Sequence, residues 1–510
     1  MSSNTFCRRA LLLTLAALFL CGRATAQSSK AFAFPDGGGV SQTSSGTSAA
    51  TTGPSAPAVG YARIIQNAAI AAGYATFAFR QGEVLVSEAT VPAATLVREG
   101  RIYAEIGGGV DTGIAIVNAS DVPVELAYYF TDSDGQDFGE NVLTLSAGGQ
   151  IARFLSEAPF NGGPALAGTF TFFTLSRNPN ARVGAIALRS LVNERGEFLM
   201  TTLPVTPVGE RGLFSGSALP QFASGGGWNT QVILVNPTAT ELDGNLSFTN
   251  QAGEAAIITS DHGSGSVFHY RIHAKSSARL QTSTAGTLQV GSVRITTSVP
   301  GIDIPVASLI FSYQSGGVTV STAGVPAPRS ASETRLFVEV TGPVGAALPG
   351  RSQTGFAVSN VESTIPARVS FDLTNLDGTS TGLHGELVIP PGGQIASFVH
   401  EIPGLTTLPI PFQGVMRISA PLPVSVIGLR GLYNERGDFL VTTIPGVNAN
   451  DEYFNLNLQY SDFVFPHFVN GGGYTTQFVL YSGWTPGFVS GTLDFFTQDG
   501  NTFPLSLEAR

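Results

Sequence analysis

Two short motifs set a carboxylate beside a guanidinium: Asn193-Glu194-Arg195-Gly196 and Asn434-Glu435-Arg436-Gly437. Such a pair at a loop tip can hold a polar partner, and loop tips are where rigid scaffolds carry binding residues. Turn chemistry alone also explains half of each motif, because Asn opens turns and Gly takes a positive φ. On that second reading Glu and Arg are merely solvated. Glu194, Arg195, Glu435 and Arg436 are therefore candidate binding residues with a structural alternative.

A third acidic stretch, Asp132-Ser133-Asp134-Gly135-Gln136-Asp137, crowds three carboxylates, the donors that hard cations take. Its glycine stands fourth, whereas an EF-hand loop needs glycine sixth, and the other copies of this turn lack the acids. Asp132, Asp134 and Asp137 stay weak candidates, and no metal site is assigned. His269 and His273 would converge on a helix, but their stretch alternates like a strand, which holds them about 13 Å apart at ~3.3 Å per residue. No Gly-x-Ser-x-Gly elbow and no Walker loop occurs. The residues specify no reaction and no cofactor, and the chain reads as non-enzymatic. Trp228 and Tyr474 each follow a triple glycine, Gly225–Gly227 and Gly471–Gly473. An aromatic there can stack on a sugar ring or a partner's apolar surface, or it can cap the core.

The elements that position these residues recur along the chain. Leu188–Pro204, LRSLVNERGEFLMTTLP, nearly matches Leu429–Pro445, LRGLYNERGDFLVTTIP. Each reads as two strands joined by a tight turn and closed by proline. Aligned outward from that hairpin, a first repeat spans about Ile102 to Pro207, a second Phe214 to Pro328 and a third Glu333 to Asn448. Shared landmarks are a strand ending in Asn (Asn118, Asn236, Asn360), an alternating strand, a glycine turn (Gly135, Gly253, Gly378) and a later Gly-Gly-Gln-Ile-Ala in the first and third. Val59 to Ala93 matches the back of a repeat: VGYARI echoes VGSVRI at Val290–Ile295, and GEVLVSEATVPA echoes GGVTVSTAGVPA at Gly316–Ala327. The segment from Phe465 to Arg510 matches a front.

Composition agrees with a β protein. Charged residues make up 12% of the chain and glycines number 61, with many Val, Phe and Thr and few helix-forming runs. Arg8 and Arg9, the apolar Ala10–Leu20 and Ala24-Thr25-Ala26 form an export signal, so cleavage near Ala26 is expected, with lipid attachment at Cys21 as the alternative. Losing residues 1–26, with three arginines and no acids, takes the charge from −10 to −13. Lys30 and Lys275 are the only lysines and no basic cluster exists, which argues against nucleic acid and anionic lipid. No apolar run after the signal has the 18 or so residues of a membrane helix. The only cysteines, Cys7 and Cys21, lie in the signal, so the exported chain has no disulfide.

The expected domains are a signal peptide at 1–26, a flexible Ser/Thr/Gly/Pro linker at 27–57, a half repeat of closing strands at 58–95, complete repeats at 96–208, 209–329 and 330–449, and a half repeat of opening strands at 450–510. About seven short strands per repeat of roughly 105 to 120 residues suit an all-β chain of tandem immunoglobulin-like antiparallel sandwiches. The succession of strand, Asn, alternating strand, Asp-Gly turn and Gly-Gly or Pro-Gly strand start resembles the immunoglobulin-like and CARDB-like adhesion modules of secreted bacterial proteins. The resemblance implies a secreted scaffold or adhesin with an unidentified protein or glycan partner at a cell surface, or else a carbohydrate-binding accessory protein. An exported hydrolase is a distant third. The two half repeats are complementary. They pair within one chain, or head to tail between chains, or the gene product is truncated; completion is the favoured expectation.

Overall fold

The computed structural model describes residues 27–46, 57–66, 71–176, 181–209, 218–299, 303–343, 348–448, 463–483 and 487–509. The export segment, with Cys7 and Cys21, lies outside the described residues. Strands and the turns between them make up the described chain apart from one short 3-10 helix, Val399–Glu401, and the pairings between its named strands are antiparallel.

The second repeat shows how one unit is built. One sheet runs Ala218–Ser224, Gln289–Thr297, Leu242–Asn250, Val267–Ile272, and the other runs Ser277–Gln281, Trp228–Val235, Val306–Ser315, Val318–Pro326. Leu242–Asn250 alternates as the sequence predicts, with Leu242, Leu246 and Phe248 buried and polar neighbours between them. These side chains share one core with Leu219, Phe222, Val232, Leu234 and Leu309 from both sheets. The strand orders recur in the first and third repeats, where the sheets are joined; in the third, Phe412–Tyr433 passes through both.

One threonine ties the two sheets in every unit. The hydroxyls of Thr112, Thr230, Thr354 and Thr476 accept the N–H of Glu105, Ala223, Glu339 and Val469, at 2.9 to 3.1 Å, and donate back to the same residues' carbonyls. The Asn landmark is equally structural. Asn118, Asn236 and Asn360 are buried, and each amide donates to three carbonyls across the end of its unit. Satisfying buried carbonyls in this way avoids the cost of an unpaired polar group.

A fourth unit is assembled from the two ends of the chain. Its sheets run Phe463–Asn470, Ala58–Gln66, Val489–Thr497, Ser29–Phe34 and Gly39–Ser44, Tyr474–Ser482, Ala71–Gln81, Val84–Pro92, with Leu507–Ala509 flanking Gly39–Ser44. The complementary ends therefore pair inside one chain. The reading of 27–57 as a flexible linker is corrected: Ser29–Phe34 and Gly39–Ser44 are strands, with Phe32 and Phe34 in the core. Small polar residues cannot order themselves by local burial. Here the partners are the C-terminal strands, in the register Ser29↔Asp494 and Gly39↔Tyr481.

The four units close into a ring. Their last strands, Val84–Pro92, Phe198–Leu203, Val318–Pro326 and Phe439–Ile444, each pack against the next around a common axis, the fourth returning to the first. Opposite seams repeat the same contacts. Met200 N–H donates to Ser87 Oγ and Val441 N–H to Ser321 Oγ, both at 2.8 Å; Thr202 and Thr443 hydroxyls donate to the carbonyls of Thr90 and Gly324 at 2.5 and 2.6 Å. Each pair is one contact repeated half a turn away. At Gly324 the backbone of the first repeat comes so close that a Cβ would lie 1.8 Å from the Thr202 carbonyl oxygen.

Candidate functional site

The ring axis gathers most of the residues singled out in the sequence. Gly196 and Gly437 take φ of 74° and 81°, as the turn requires, and Asn193 and Asn434 accept backbone N–H groups within their own turns. The turns are not free tips. Glu194 accepts the N–H of Thr319 at 2.7 Å and its hydroxyl at 3.2 Å, while Asn193 donates to the Thr319 carbonyl. Glu435 accepts the N–H of Leu85 at 2.8 Å, pairs with Arg80 at 2.8 Å, and Asn434 donates to the Leu85 carbonyl. Each turn thus caps the start of a neighbouring axial strand. Burial pushes both carboxyls up, but the hydrogen bonds from Thr319, and from Leu85 and Arg80, outweigh it and hold Glu194 and Glu435 below the ordinary carboxylate range.

The two guanidiniums cross the axis. Arg195 meets Asp438 at 2.6 Å, and Arg436 meets Glu197 at 2.5 Å. Burial raises the pKa of Glu197, but its bonds to Arg436 and Asn193 win, and the net direction is down. The four candidate binding residues are placed together, in contacts between units of the chain.

Trp228 and Tyr474 are half-buried at two equivalent seams. Trp228 stacks on Tyr313 at 4.7 Å with Phe439 edge-on at 6.2 Å; Tyr474 stacks on Phe79 at 4.4 Å, and Phe198 lies edge-on to Phe79 at 6.4 Å. Each ring has one face covered by its own unit, and the edge-on phenylalanine comes from the next.

Elsewhere the acidic stretch is used locally. Asp132 Oδ1 accepts the N–H groups of Asp134 and Gln136, and Asp137 accepts the Thr131 hydroxyl and pairs with Lys275 of the second repeat. Among the described residues no three His, Cys, Asp or Glu side chains come together as a cation site. His269 lies within the strand Val267–Ile272 and His273 directly after it, and they face Asp243 and Glu241 at 3.0 and 3.4 Å.

Sequence reasoning passed over a buried charge cluster. Arg430 lies 2.6 Å from both oxygens of Glu88 and 3.4 Å from Glu339, all three buried. Burial opposes the charge on Arg430, and the two carboxylates override it, so its pKa is raised. Equally unforeseen is Arg101, whose guanidinium donates to the Asn236 carbonyl at 2.8 Å; Arg335 reaches the Ser482 hydroxyl at 2.8 Å at the equivalent seam. The near-repetition of Leu188 and Arg189 by Leu429 and Arg430 was the available signal.

Two cavities lie on these seams. One, of about 380 Å³, sits where the axial strands end and draws on all four units through Pro92, Pro204, Pro326 and Pro445. The other, of about 310 Å³, lies between the composite unit and the first repeat, with Phe77, Phe154, Phe198, His467 and Tyr474 in its wall.

No family model matches the chain, and no curated protein does. Among solved structures, the infectious bursal disease virus Gx strain shares 10% identity over 79% of this chain and 80% of its own, at a TM-score of 0.12. An infectious bursal disease virus VP2 subviral particle shares 9% over 81% and 84%, at 0.11. Likeness at that level carries no argument. Among the described residues no helix is long and apolar enough to cross a membrane.

Proposed function

We propose that this chain is a secreted, non-enzymatic scaffold or adhesin of immunoglobulin-like β-sandwich units, acting at a cell surface through its outer faces. The observation that carries the reading is the crossed pair Arg195–Asp438 and Arg436–Glu197 at the axis. The side chains best suited to grip a ligand hold the four units to one another instead, which is the use a rigid display frame would make of them. Export follows from the N-terminal signal, with cleavage near Ala26.

The carbohydrate-binding reading ranks below it, because Trp228 and Tyr474 are half-buried and each has one ring face stacked on Tyr313 or Phe79. A glycan array and a cell-adhesion assay on the exported protein separate the two. The scaffold reading expects attachment to cells or matrix that Trp228→Ala leaves unchanged. Saturable sugar binding abolished by Trp228→Ala overturns it in favour of the second reading, and turnover of any substrate overturns both.

A further inference from the structure

The cavity between the composite unit and the first repeat has the make-up of a small-molecule site. Its volume of about 310 Å³ is at the lower end of ligand pockets, which are mostly apolar with a few placed polar groups. Phe77, Phe154, Phe198 and Tyr474 supply flat aromatic walls and Met200 an adaptable one. Arg153 and Glu157 are of opposite sign, so the lining carries no net charge that would favour an ion.

His467 is a polar residue of this wall, and one of its ring nitrogens has no partner. The Nδ1 of His467 is buried and makes no hydrogen bond, and its ring contact is with Phe77, edge-on at 5.6 Å. The equivalent seam shows what is missing. There Gln221, in Pro220-Gln221-Phe222, stands where Pro466-His467-Phe468 stands here, and Gln394 donates to its side chain. At this seam the matching Gln150 turns to the carbonyls of Gly60 and Pro466, which leaves the imidazole unserved. That nitrogen is shut off from the cavity, so a ligand there meets the rest of the imidazole. Burial also keeps the ring neutral, pushing its pKa down to about 4, so one ring nitrogen donates and the other accepts.

We infer that this pocket binds an uncharged one- or two-ring aromatic alcohol, its ring between Phe77, Phe198 and Tyr474 and its hydroxyl on His467. A hydroxyl suits either imidazole tautomer, since it both donates and accepts. The inference is independent of the scaffold reading, which concerns the outer faces.

Titration calorimetry with 2-naphthol on the full exported chain tests it. Saturable one-site binding is expected, with 2-methylnaphthalene weaker by about 3- to 10-fold for want of the hydrogen bond. That comparison needs no variant. His467→Phe should weaken 2-naphthol by the same factor and leave 2-methylnaphthalene unchanged, and Ala152→Trp, which fills the cavity, should abolish both. Absence of saturable 2-naphthol binding, equal affinity for the two probes, or full binding in Ala152→Trp overturns the inference.

Discussion

Arg430 of the third repeat lies 2.6 Å from both carboxylate oxygens of Glu88, a residue of the N-terminal segment. This buried contact spans the seam at which the ring closes, and Glu339 adds a second carboxylate 3.4 Å from the same guanidinium. Removing the cation strands two buried anions. Arg430→Leu should therefore destabilise the protein by about 3–5 kcal/mol, the usual cost of breaking a buried pair from one side. Urea unfolding measures it; a loss under about 1 kcal/mol would mean that the cluster is open to water.

The axial turns predict a pH dependence. Glu194, Glu197 and Glu435 all have pKa values held down in the folded chain. Groups depressed on folding contribute stability that is present above the unfolded value of about 4.3 and lost as pH falls through the folded one. The thermal midpoint should drop as pH is lowered below about 4.3, and the triple variant Glu194→Gln, Glu197→Gln, Glu435→Gln should flatten that slope. An unchanged slope would show that these turns do not carry it.

His467 acts at higher pH by the opposite protonation state. Its folded pKa of about 4 lies below the unfolded value of about 6.5, so the unfolded chain binds the extra proton between those limits. Stability should then fall as pH is lowered from about 6.5 toward 4. Replacing the imidazole with the residue of the equivalent seam, His467→Gln, should remove this component and leave the decline below pH 4. Calorimetric scans at half-unit steps resolve the two windows.

Gly324 tests the packing at the axis. A methyl there would sit 1.8 Å from the Thr202 carbonyl oxygen, with backbone rather than a flexible side chain in the way. Gly324→Ala should cost about 1–3 kcal/mol by overpacking. Thr202→Val loses the 2.5 Å bond to the Thr90 carbonyl and should cost about 1 kcal/mol. Equal stability of wild type and Gly324→Ala would mean that the units do not meet as described.

Deleting residues 27–46 should expose the C-terminal strands. Tyr474–Ser482 and Val489–Thr497 would each lose an edge partner, and Phe32 and Phe34 would leave the core. Limited proteolysis should then cut within 463–509 while the second repeat stays resistant. Identical digestion patterns would rule out the composite unit.

The sequence exposes local chemistry well and long-range partnership poorly. The Asn landmarks, the turn glycines and the alternation of Leu242–Asn250 follow from rules that act within a few residues, and the structure shows what each bonds to. The complementarity of the chain ends was also visible, since VGYARI and GGGY match two parts of one repeat. Ser29–Ser44 was missed because its burial comes from strands more than 400 residues away, a distance no local pattern reports. The same limit hid the purpose of Glu194 and Arg195. A solvated turn and a turn that locks a neighbour have the same sequence, and only the ring brings Thr319 and Asp438 to them. His467 carries no local signature; its comparison with Gln221 gains meaning once Gln150 and Gln394 are located.

The pairing of Ser29–Phe34 with Val489–Thr497 also sets how the molecule bears load. In a row of sandwiches, tension applied at the two ends passes through every unit in turn, and the weakest yields first. Here both points of attachment lie in one unit, so tension is carried by that clasp alone and the three complete repeats are bypassed. Extension would begin with its rupture and only then reach the rest of the chain, giving one leading force peak where a linear array would give an unordered series.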